Sequence, residues 1–429
     1  MRYFILPVAL LVIAAAPAPR PIAPSPTALR GTVNTLVGFG TRHTLSTTTD
    51  SKRGIGAARN WVAAEFAKLG LMVERPSRRF DGPRAPDGVI VEDVLGIQRG
   101  TGDPAHIVIV AGHIDSRVSN AMNATSDAPG ANDDASGVAL VMEAARILSR
   151  EKHSATIIYA VLSGEEQGLW GGKLLAETAK AYGWRVAAML NNDIVGNTVG
   201  QDGRVVADRV RVFSEGIGAA EDSATLKWRR ASGGEDDSPS RALAKAVARV
   251  AASEKVISVM AVRRPDRFGR GGDHTPMLEA GFPAVRFTVG VENYDAQHQD
   301  LRTEKGKVYG DTTDRMDFTY LAKVTALNIA VLRQLSAAPP APTNVIAGGA
   351  VSSDTTLKWD AVPGAAGYRI RWRRADRTDW ESSHDFPATA TDAKLSGVIV
   401  DDTFAGVSAL SKDGAESIVT FAGLPLPKP

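Results

Sequence analysis

Residues 107–116 read IVIVAGHIDS, and residues 156–166 read TIIYAVLSGEE. Each stretch is a short apolar run followed at once by side chains that bind metals. Short apolar runs of this kind are typical of strands that are buried on both faces, as in a parallel sheet. Because ligands bind such sheets outside the carboxyl ends of their strands, the two stretches predict both an α/β sheet and a site at its edge.

Strand-like and helix-like segments alternate from residue 28 onward. Apolar residues at helical spacing cover residues 55–69 and end before Gly70, a suitable helix C-cap. This alternation predicts a mostly parallel, mixed sheet sandwiched by helices. The remaining segments that carry the prediction are strands at 91–97, 107–110, 156–162 and 186–190, and helices at 137–148, 171–181 and 241–252.

The composition restricts the class of protein. The chain has 429 residues, of which 44% are hydrophobic and 23% are charged, so it can bury at least one large core, and its length predicts two domains. The net charge of +2 gives no reason to expect nucleic acid or an anionic membrane surface as a partner. No cysteine is present, which excludes disulfides and thiolate metal sites.

The first 18 residues have the features of a secretory signal peptide. A basic start precedes an apolar run at residues 3–16, and small residues follow. The run is too short for a comfortable membrane span, and no other segment is apolar for long enough to cross a bilayer. We expect an exported protein, periplasmic or extracellular, without stable membrane insertion, and a Pro- and Ala-rich linker at residues 19–27.

The pattern of the sequence changes after residue 336, where the α/β part (28–336) is predicted to end. Residues 337–343 (AAPPAPT) read as a linker, and residues 344–429 as a small β-sandwich. The sandwich resembles a fibronectin type III module, with Trp359 and Tyr368 as paired inner aromatics and Phe404 where a tyrosine is common. It is a candidate for binding a surface or another macromolecule, or for removal on maturation. Its predicted strands are 355–359, 368–372, 398–400, 403–410 and 417–420.

Metal-binding residue types follow the successive strands in the order H-x-D, D, E-E, D, H. Zinc accepts this mixture of imidazole nitrogen and carboxylate oxygen, although cobalt and manganese also fit. One carboxylate shared by two ions and one left over to move protons would make an open site that holds water, as in a hydrolase. The candidate ligands are His113, Asp133, Glu166, Asp193 and His298, and the spare carboxylate is Glu165.

Each motif has a simpler structural explanation. His113 could be a surface histidine, whereas in a metal site Asp115 would accept its second ring N–H and fix its tautomer. Asp134 is well placed to cap the helix that follows, and the glutamate pair could be solvated in a loop. For the last ligand, the residues alone leave His274 as a rival to His298.

These motifs resemble those of the secreted di-zinc aminopeptidases, kin of bacterial leucyl aminopeptidase, aminopeptidase Y and glutamate carboxypeptidase. The resemblance covers residues 91–335, including the D-x-x-S-G segment at 133–137 and the D-H-x-P segment at 273–276. It implies two zinc ions per chain, the first held by His113 and Glu166 and the second by Asp193 and His298. It also implies that Asp133 bridges the ions, that Glu165 is the catalytic base, and that His274 lines the pocket without being a ligand.

The implied activity is hydrolysis of the N-terminal bond of peptides or proteins by a metal-bridging water that Glu165 activates. The open alternatives are a glutaminyl cyclase, a metallocarboxypeptidase, and a binding protein with an inactive catalytic domain. The pocket wall is expected at residues 226–237 and 268–270, where no motif indicates a side-chain preference.

Overall fold

A computed structural model describes residues 23–425, so the predicted signal peptide at residues 1–18 lies outside the described residues. None of the helices described there is both long enough and apolar enough to span a membrane. The helices are α1 Pro26–Gly38, α2 Gly54–Lys68, α3 Ala135–Leu148, α4 Glu165–Gly168, α5 Trp170–Ala181, α6 Ser223–Ser232, α7 Pro239–Glu254, α8 His274–Glu279 and α9 Phe318–Ala337.

The strands divide between a large sheet in the first part of the chain and smaller sheets elsewhere. Up to residue 309 they are β1 Met72–Glu74, β2 Ser77–Gly82, β3 Ala85–Glu92, β4 Val94–Gln98, β5 His106–His113, β6 Thr156–Leu162, β7 Arg185–Asn192, β8 Arg209–Phe213, β9 Ser258–Val262, β10 Ala284–Val289, β11 Arg302–Glu304 and β12 Lys307–Tyr309. The later strands are β13 Ile346–Gly348, β14 Thr355–Lys358, β15 Gly367–Arg374, β16 Ser382–Pro387, β17 Asp392–Leu395, β18 Thr403–Leu410 and β19 Thr420–Phe421.

The large sheet has eight strands in the order β1-β4-β6-β5-β7-β10-β8-β9. Its centre, β6-β5-β7-β10, is parallel, and antiparallel pairs flank it. Val108 and Val110 of β5 face one core with α3 and α9, whereas Ile107 and Ile109 face another with α5 and α8. Apolar residues on both faces of a strand are what a sheet covered by helices on both sides requires, and the predicted fold class is confirmed.

Several predicted boundaries differ from the observed ones. The expected strand at 91–97 is two strands, β3 and β4, separated by the buried Asp93. For residues 226–237 the sequence predicts neither a helix nor a strand, but α6 and a 3₁₀ turn at Gly234–Asp237 occupy most of this segment. Its helix is polar and exposed on most sides, so apolar periodicity gave little signal. The helix α1 begins inside the expected linker at 19–27, with Ser25 as its cap.

The C-terminal part forms two sheets, β13-β14-β17 and β16-β15-β18-β19. Their inner faces enclose Leu357, Trp359, Tyr368, Ile370 and Val407. Trp359 and Tyr368 are neighbours, with ring centroids 5.3 Å apart. Residues 398–400 do not form the expected strand, whereas the polar strands β16 and β17 were not predicted. The likeness to a fibronectin type III module remains a prediction.

Buried charges join the two parts of the chain along a surface that we call the domain seam. Asp237, which precedes α7, contacts Lys245 of α7 at 2.6 Å and also pairs with Arg373 of β15. Glu416, after β18, accepts two hydrogen bonds from Arg371 of β15 at 2.6 Å within the C-terminal part, and across the seam the charge of Arg249 of α7 lowers its pKa. All of these carboxylates are buried, and each has both oxygens paired.

Candidate metal centre

The chemistry-bearing side chains lie where the parallel strands of the large sheet end. His113 is the last residue of β5, Asp193 directly follows β7, and the pair Glu165 and Glu166 follows β6 by three residues. Asp133 lies just before α3, whose N-cap is Asp134. Parallel strands bring their carboxyl ends to one edge of the sheet, which collects residues far apart in sequence.

Asp134 caps the N-terminus of α3, as its position before that helix predicts. Its buried carboxylate accepts hydrogen bonds from Gly137 N at 2.9 Å, His113 N at 3.1 Å and Ile194 N at 3.2 Å. The cap therefore ties α3 to β5 and to the residues after β7. This arrangement fixes the backbone around Asp133.

Two groups of side chains have ligand atoms close enough to bind a common ion. The ligand atoms of His113, Glu165 and Asp193 all lie within 4.8 Å of one another, as do those of Asp133, Glu166 and His298. His113 Nε2 is also 3.2 Å from Asp133 Oδ1, and His298 Nε2 is 2.9 Å from Asp133 Oδ2. Asp133 therefore faces both histidines, each with a different oxygen.

The histidines have partners other than those expected from the sequence. Glu166 was expected with His113, and Asp193 with His298. Instead, Asp193 Oδ1 is 3.8 Å from His113 Nε2, and Glu166 Oε1 is 2.8 Å from His298 Nε2. Strand order alone does not decide the partners, because β5 lies between β6 and β7. Glu166 lies in α4, where its carboxylate contacts His298 and Arg117.

The chemistry of the second group fits a metal ion. Glu166 Oε1 is buried and receives no hydrogen bond, although His298 Nε2 is 2.8 Å away. Buried carboxylate oxygens without a donor are rare. Two ligand atoms that bind the same cation lie this close to each other without a hydrogen bond between them. Zinc accepts both the imidazole nitrogen and the carboxylate oxygen as ligands.

The electrostatics also indicate a missing positive charge. Burial alone would lower the pKa of His298, but Glu166 and Asp133 raise it to about 10. Burial likewise opposes protonation of His113, yet Asp115, Asp133 and Asp193 raise its pKa well above the usual range. The carboxylates around both histidines therefore favour positive charge at this site, which is what a bound divalent ion would supply.

Glu165 differs from its neighbour Glu166. Its carboxyl group is half-buried and lines the cavity. Burial raises its pKa well above the usual range, and the nearby Asp193 and Glu166 raise it further. A carboxylate that faces a cavity beside an ion site is placed to accept a proton from a bound water.

Asp115 positions other residues more than it holds His113. The ring Nδ1 of His113 donates to the main-chain oxygen of Asp115 at 3.1 Å, whereas the expected carboxylate partner is 3.5 Å away. The carboxylate instead accepts from Glu166 N at 3.1 Å, Glu165 N at 3.3 Å and the Thr44 hydroxyl at 2.9 Å. It thus fixes the backbone of the glutamate pair, and we describe it as a positioning residue.

His274 neither reaches the ligands nor lines the cavity, which corrects the expectation that it forms part of the pocket. It is completely buried, and its Nε2 donates to the main-chain oxygen of Pro265 at 2.8 Å. It is the first residue of α8, and Asp266 lies 3.8 Å from its Nε2. The expected wall at residues 226–237 is also absent from the lining, whereas Gly269 and Arg270 belong to it.

Several residues that contact the candidate ligands were not predicted from the sequence. Arg286 is completely buried and contacts Asp193 at 2.8 Å, and Arg117 donates to Glu166 at 2.8 Å. Gln297 donates to the Asp133 carboxylate at 3.1 Å, and the main-chain nitrogen of Asp133 donates to Asp311 at 2.7 Å. Only Arg286 had a signal, since a lone arginine in the apolar run of β10 needs a buried carboxylate partner.

A cavity of about 380 Å³ lies over the ligands and opens to solvent. It has room for a residue or two of a peptide. The side chains and backbone that line it are those of Arg84, Arg117, Asp133, Glu165, Glu166, Gln167, Gly168, Leu169, Asp193, Arg267, Gly269, Arg270, Gly271, Gln297 and His298.

Solved structures with a similar fold include hydrolytic and cyclising enzymes. A glutaminyl cyclase of Fimbriiglobus ruber aligns with a TM-score of 0.52 over 74% of this chain and 99% of its own, at 19% identity. An aminopeptidase from Aneurinibacillus sp. strain AM-1 aligns with a TM-score of 0.50 over 72% of this chain and 94% of its own, at 14% identity. At such low identity, these similarities show the fold alone.

The sequence comparisons are more specific. A probable zinc metalloprotease of Leptosphaeria maculans is 45% identical over 366 residues, which cover 82% of this chain and 84% of the relative. One from Pyrenophora tritici-repentis is 41% identical over 410 residues, covering 92% and 84%. Residues 93–333, which contain the candidate ligands described above, match the profile of peptidase family M28. The chain therefore belongs to peptidase family M28.

Proposed function

We propose that this protein is an exported, zinc-dependent aminopeptidase that binds two zinc ions per chain. The observation that carries the proposal is the pair of ligand groups around Asp133, with Glu165 beside the first. The curated relatives described above bear the name zinc metalloprotease, which supports zinc as the metal. Export rests on the sequence of residues 1–18.

The ligands divide into two sites in this proposal. His113, Asp133 and Asp193 would hold the first ion, and Asp133, Glu166 and His298 the second. Bound zinc supplies a Lewis acid for the scissile carbonyl and lowers the pKa of a coordinated water. Asp115 keeps the backbone of the glutamate pair in place, so that Glu165 faces the cavity.

Glu165 would move the proton. Its carboxylate takes a proton from the attacking water and then delivers it to the leaving amine nitrogen, which departs as a neutral amine. The carbon–nitrogen bond breaks and a carbon–oxygen bond forms, with no redox change. Arg117 and Gln297 hold the second site's carboxylates in position through hydrogen bonds to Glu166 and Asp133.

Two observations favour an aminopeptidase over the alternatives. A site for one zinc, as expected for a glutaminyl cyclase, would not need both ligand groups. Between Asp193 and His298, the described chain forms β8, β9 and β10 of the large sheet and helices that pack on it. That span leaves no separate dimerisation domain of the kind expected for the carboxypeptidase class.

The test is hydrolysis of a panel of amino-acid p-nitroanilides, each with a free or an N-acetylated amino group. We expect cleavage of the free-amine substrates only, loss of cleavage with a chelator, and recovery when zinc is returned. Metal analysis of the active protein should give two zinc ions per chain. Cleavage of the acetylated substrates, or no cleavage by folded and metal-loaded protein, would reject the aminopeptidase assignment.

A further inference from the structure

The cavity over the metal ligands is lined by as many arginines as carboxylates. The arginines are Arg84, Arg117, Arg267 and Arg270, and the carboxylates are Asp133, Glu165, Glu166 and Asp193. In the proposed function all four carboxylates face the ions. Two divalent ions would therefore offset them and leave the charge of the arginines uncompensated by the lining.

The carboxylates behind the cavity wall do not neutralise this positive charge. Glu292, which is buried, is shared by Arg211 at 2.7 Å, Arg267 at 3.3 Å and Arg270 at 2.9 Å. Three guanidinium groups thus meet one carboxylate there. Asp266 helps only in part, because it also contacts the buried Arg286 at 3.1 Å.

Two of the lining arginines use their N–H groups in hydrogen bonds within the protein. Arg117 donates to Glu166 and to the main-chain oxygen of Val118. Arg267 donates to Asp266, to Glu292 and to the main-chain oxygen of Gly271. Their N–H groups are used in holding the ligands and the loop, so neither is a good candidate for contacting substrate.

The other two arginines keep free donors at the rim. Arg84, in the turn between β2 and β3, makes a single hydrogen bond within the described residues, to the main-chain oxygen of Glu166. Arg270, in the loop before α8, makes one, to Glu292, and its side chain is 32% exposed. They border the cavity from two separate elements, each with guanidinium N–H groups available for a further partner.

We propose that Arg84 and Arg270 select substrates that carry a carboxylate beside the scissile bond. Guanidinium groups recognise carboxylates by paired, charge-assisted hydrogen bonds. The positive field of the metal-loaded cavity acts in the same direction. This inference rests on the proposed function for the position of the reacting bond, and it adds the substrate class, namely peptides with a carboxylate next to the N-terminal peptide bond, either in the first side chain or as the α-carboxylate of a dipeptide.

The carboxylate has two possible sources, which matched substrates separate. Glu-p-nitroanilide and Gln-p-nitroanilide differ only in the side-chain carboxylate of the first residue. Ala-Ala and Ala-Ala-amide differ only in the α-carboxylate of a short peptide. We expect kcat/KM to favour the carboxylate member of at least one pair by about tenfold or more, the usual size of a hydrogen bond to a charged group.

Two variants test the residues. Arg84→Gln and Arg270→Gln should each lower the ratio of kcat/KM for the carboxylate substrate to kcat/KM for its neutral partner by about tenfold, mainly through the KM of the carboxylate substrate. Arg374→Gln is the matched control, because Arg374 is an exposed arginine of β15 in the C-terminal part of the chain. It should leave both ratios unchanged.

A binding measurement provides a readout that does not depend on turnover. In zinc-loaded Glu165→Gln protein, calorimetry should show tighter binding of Glu-Ala-amide than of Gln-Ala-amide if the side chain is the source, or of Ala-Ala than of Ala-Ala-amide if the α-carboxylate is. Either preference should shrink when Arg84 or Arg270 is also changed to Gln.

The outcomes distinguish this inference from the proposed function. Hydrolysis with ratios near one in both substrate pairs, or ratios that neither arginine variant changes, would overturn the inference and leave the aminopeptidase assignment intact. A binding preference for the carboxylate in a protein that hydrolyses none of the free-amine substrates would support the inference and reject the assignment.

Discussion

The metal centre and the domain seam both bury carboxylates, but they compensate the charge differently. In the seam, one oxygen of Asp237 contacts Lys245 and the other Arg373, and both oxygens of Glu416 accept from Arg371. In the metal centre, the nearest cationic partners of Asp133 are two histidines, and one oxygen of Glu166 has no donor.

This difference separates a structural cluster from a functional one. A buried carboxylate whose two oxygens both face lysine or arginine is neutralised at any ordinary pH and has no capacity for a further cation. Carboxylates whose partners are titratable histidines can exchange those protons for a metal ion. The domain seam should therefore control stability, and the metal centre should control activity.

The largest effect is expected from Glu165→Gln in the metal centre. Removing a general base should lower kcat by about 10²–10⁴-fold, while zinc content and the melting temperature stay the same. Glu254→Gln, at the exposed end of α7, is the control. Wild-type turnover in the Glu165 variant would assign the proton transfer to another group.

The seam should show the opposite behaviour. Arg373→Met leaves a buried oxygen of Asp237 without its partner, and breaking a buried ion pair in this way costs about 3–5 kcal/mol. We expect a lower urea midpoint with kcat unchanged at temperatures where the variant is folded. Arg374→Met, one residue further along β15 and exposed, should leave the urea midpoint nearly unchanged. Equal losses of stability in both variants would show that the buried Asp237–Arg373 pair contributes no more than an exposed pair.

Acid should weaken the seam through Glu416. Burial alone would raise the pKa of this carboxyl group, but Arg371 and Arg249 lower it to about 2, against an ordinary value of 4.5. Because the folded pKa is the lower one, the stabilisation is complete above pH 4.5 and is lost as the pH falls toward 2. It amounts to about 3 kcal/mol.

Urea unfolding at pH 6 and at pH 3 measures this contribution. The wild-type protein should lose more stability over that interval than Glu416→Gln, which has no titrating group at that position. The pH-independent cost of the substitution appears at pH 6 and is subtracted. Identical losses for the two proteins would exclude Glu416 as the acid-sensitive group.

The smallest effect is expected from Asp115→Asn. Replacing one acceptor oxygen by an amide N–H disturbs the hydrogen bonds from Glu165 N and Glu166 N, and changes behind metal ligands typically cost 10–100-fold in metal affinity. Competition with a chelator measures the zinc affinity. Asp127→Asn, whose carboxylate is exposed, is the control and should have wild-type affinity.

The sequence was informative wherever a short motif and a strand coincided. Apolar runs predicted β5, β6 and β7, and each was followed by the side chains that the structure brings together. It was uninformative for α6, whose ten residues are mostly polar and include only one buried side chain, that of Arg229. It also failed for the partners of His298, which adopts a left-handed backbone conformation (φ 55°) in a loop without a periodic pattern.

Residue identity by itself determined the α/β class, the ligand types and the spare glutamate, because strand periodicity and metal preference are local properties of the chain. The tertiary structure alone decided that Asp193 accompanies His113, that Glu166 accompanies His298, and that His274 is buried. Those relations depend on the order of strands in the sheet and on loop paths, which long-range packing fixes and no local pattern encodes.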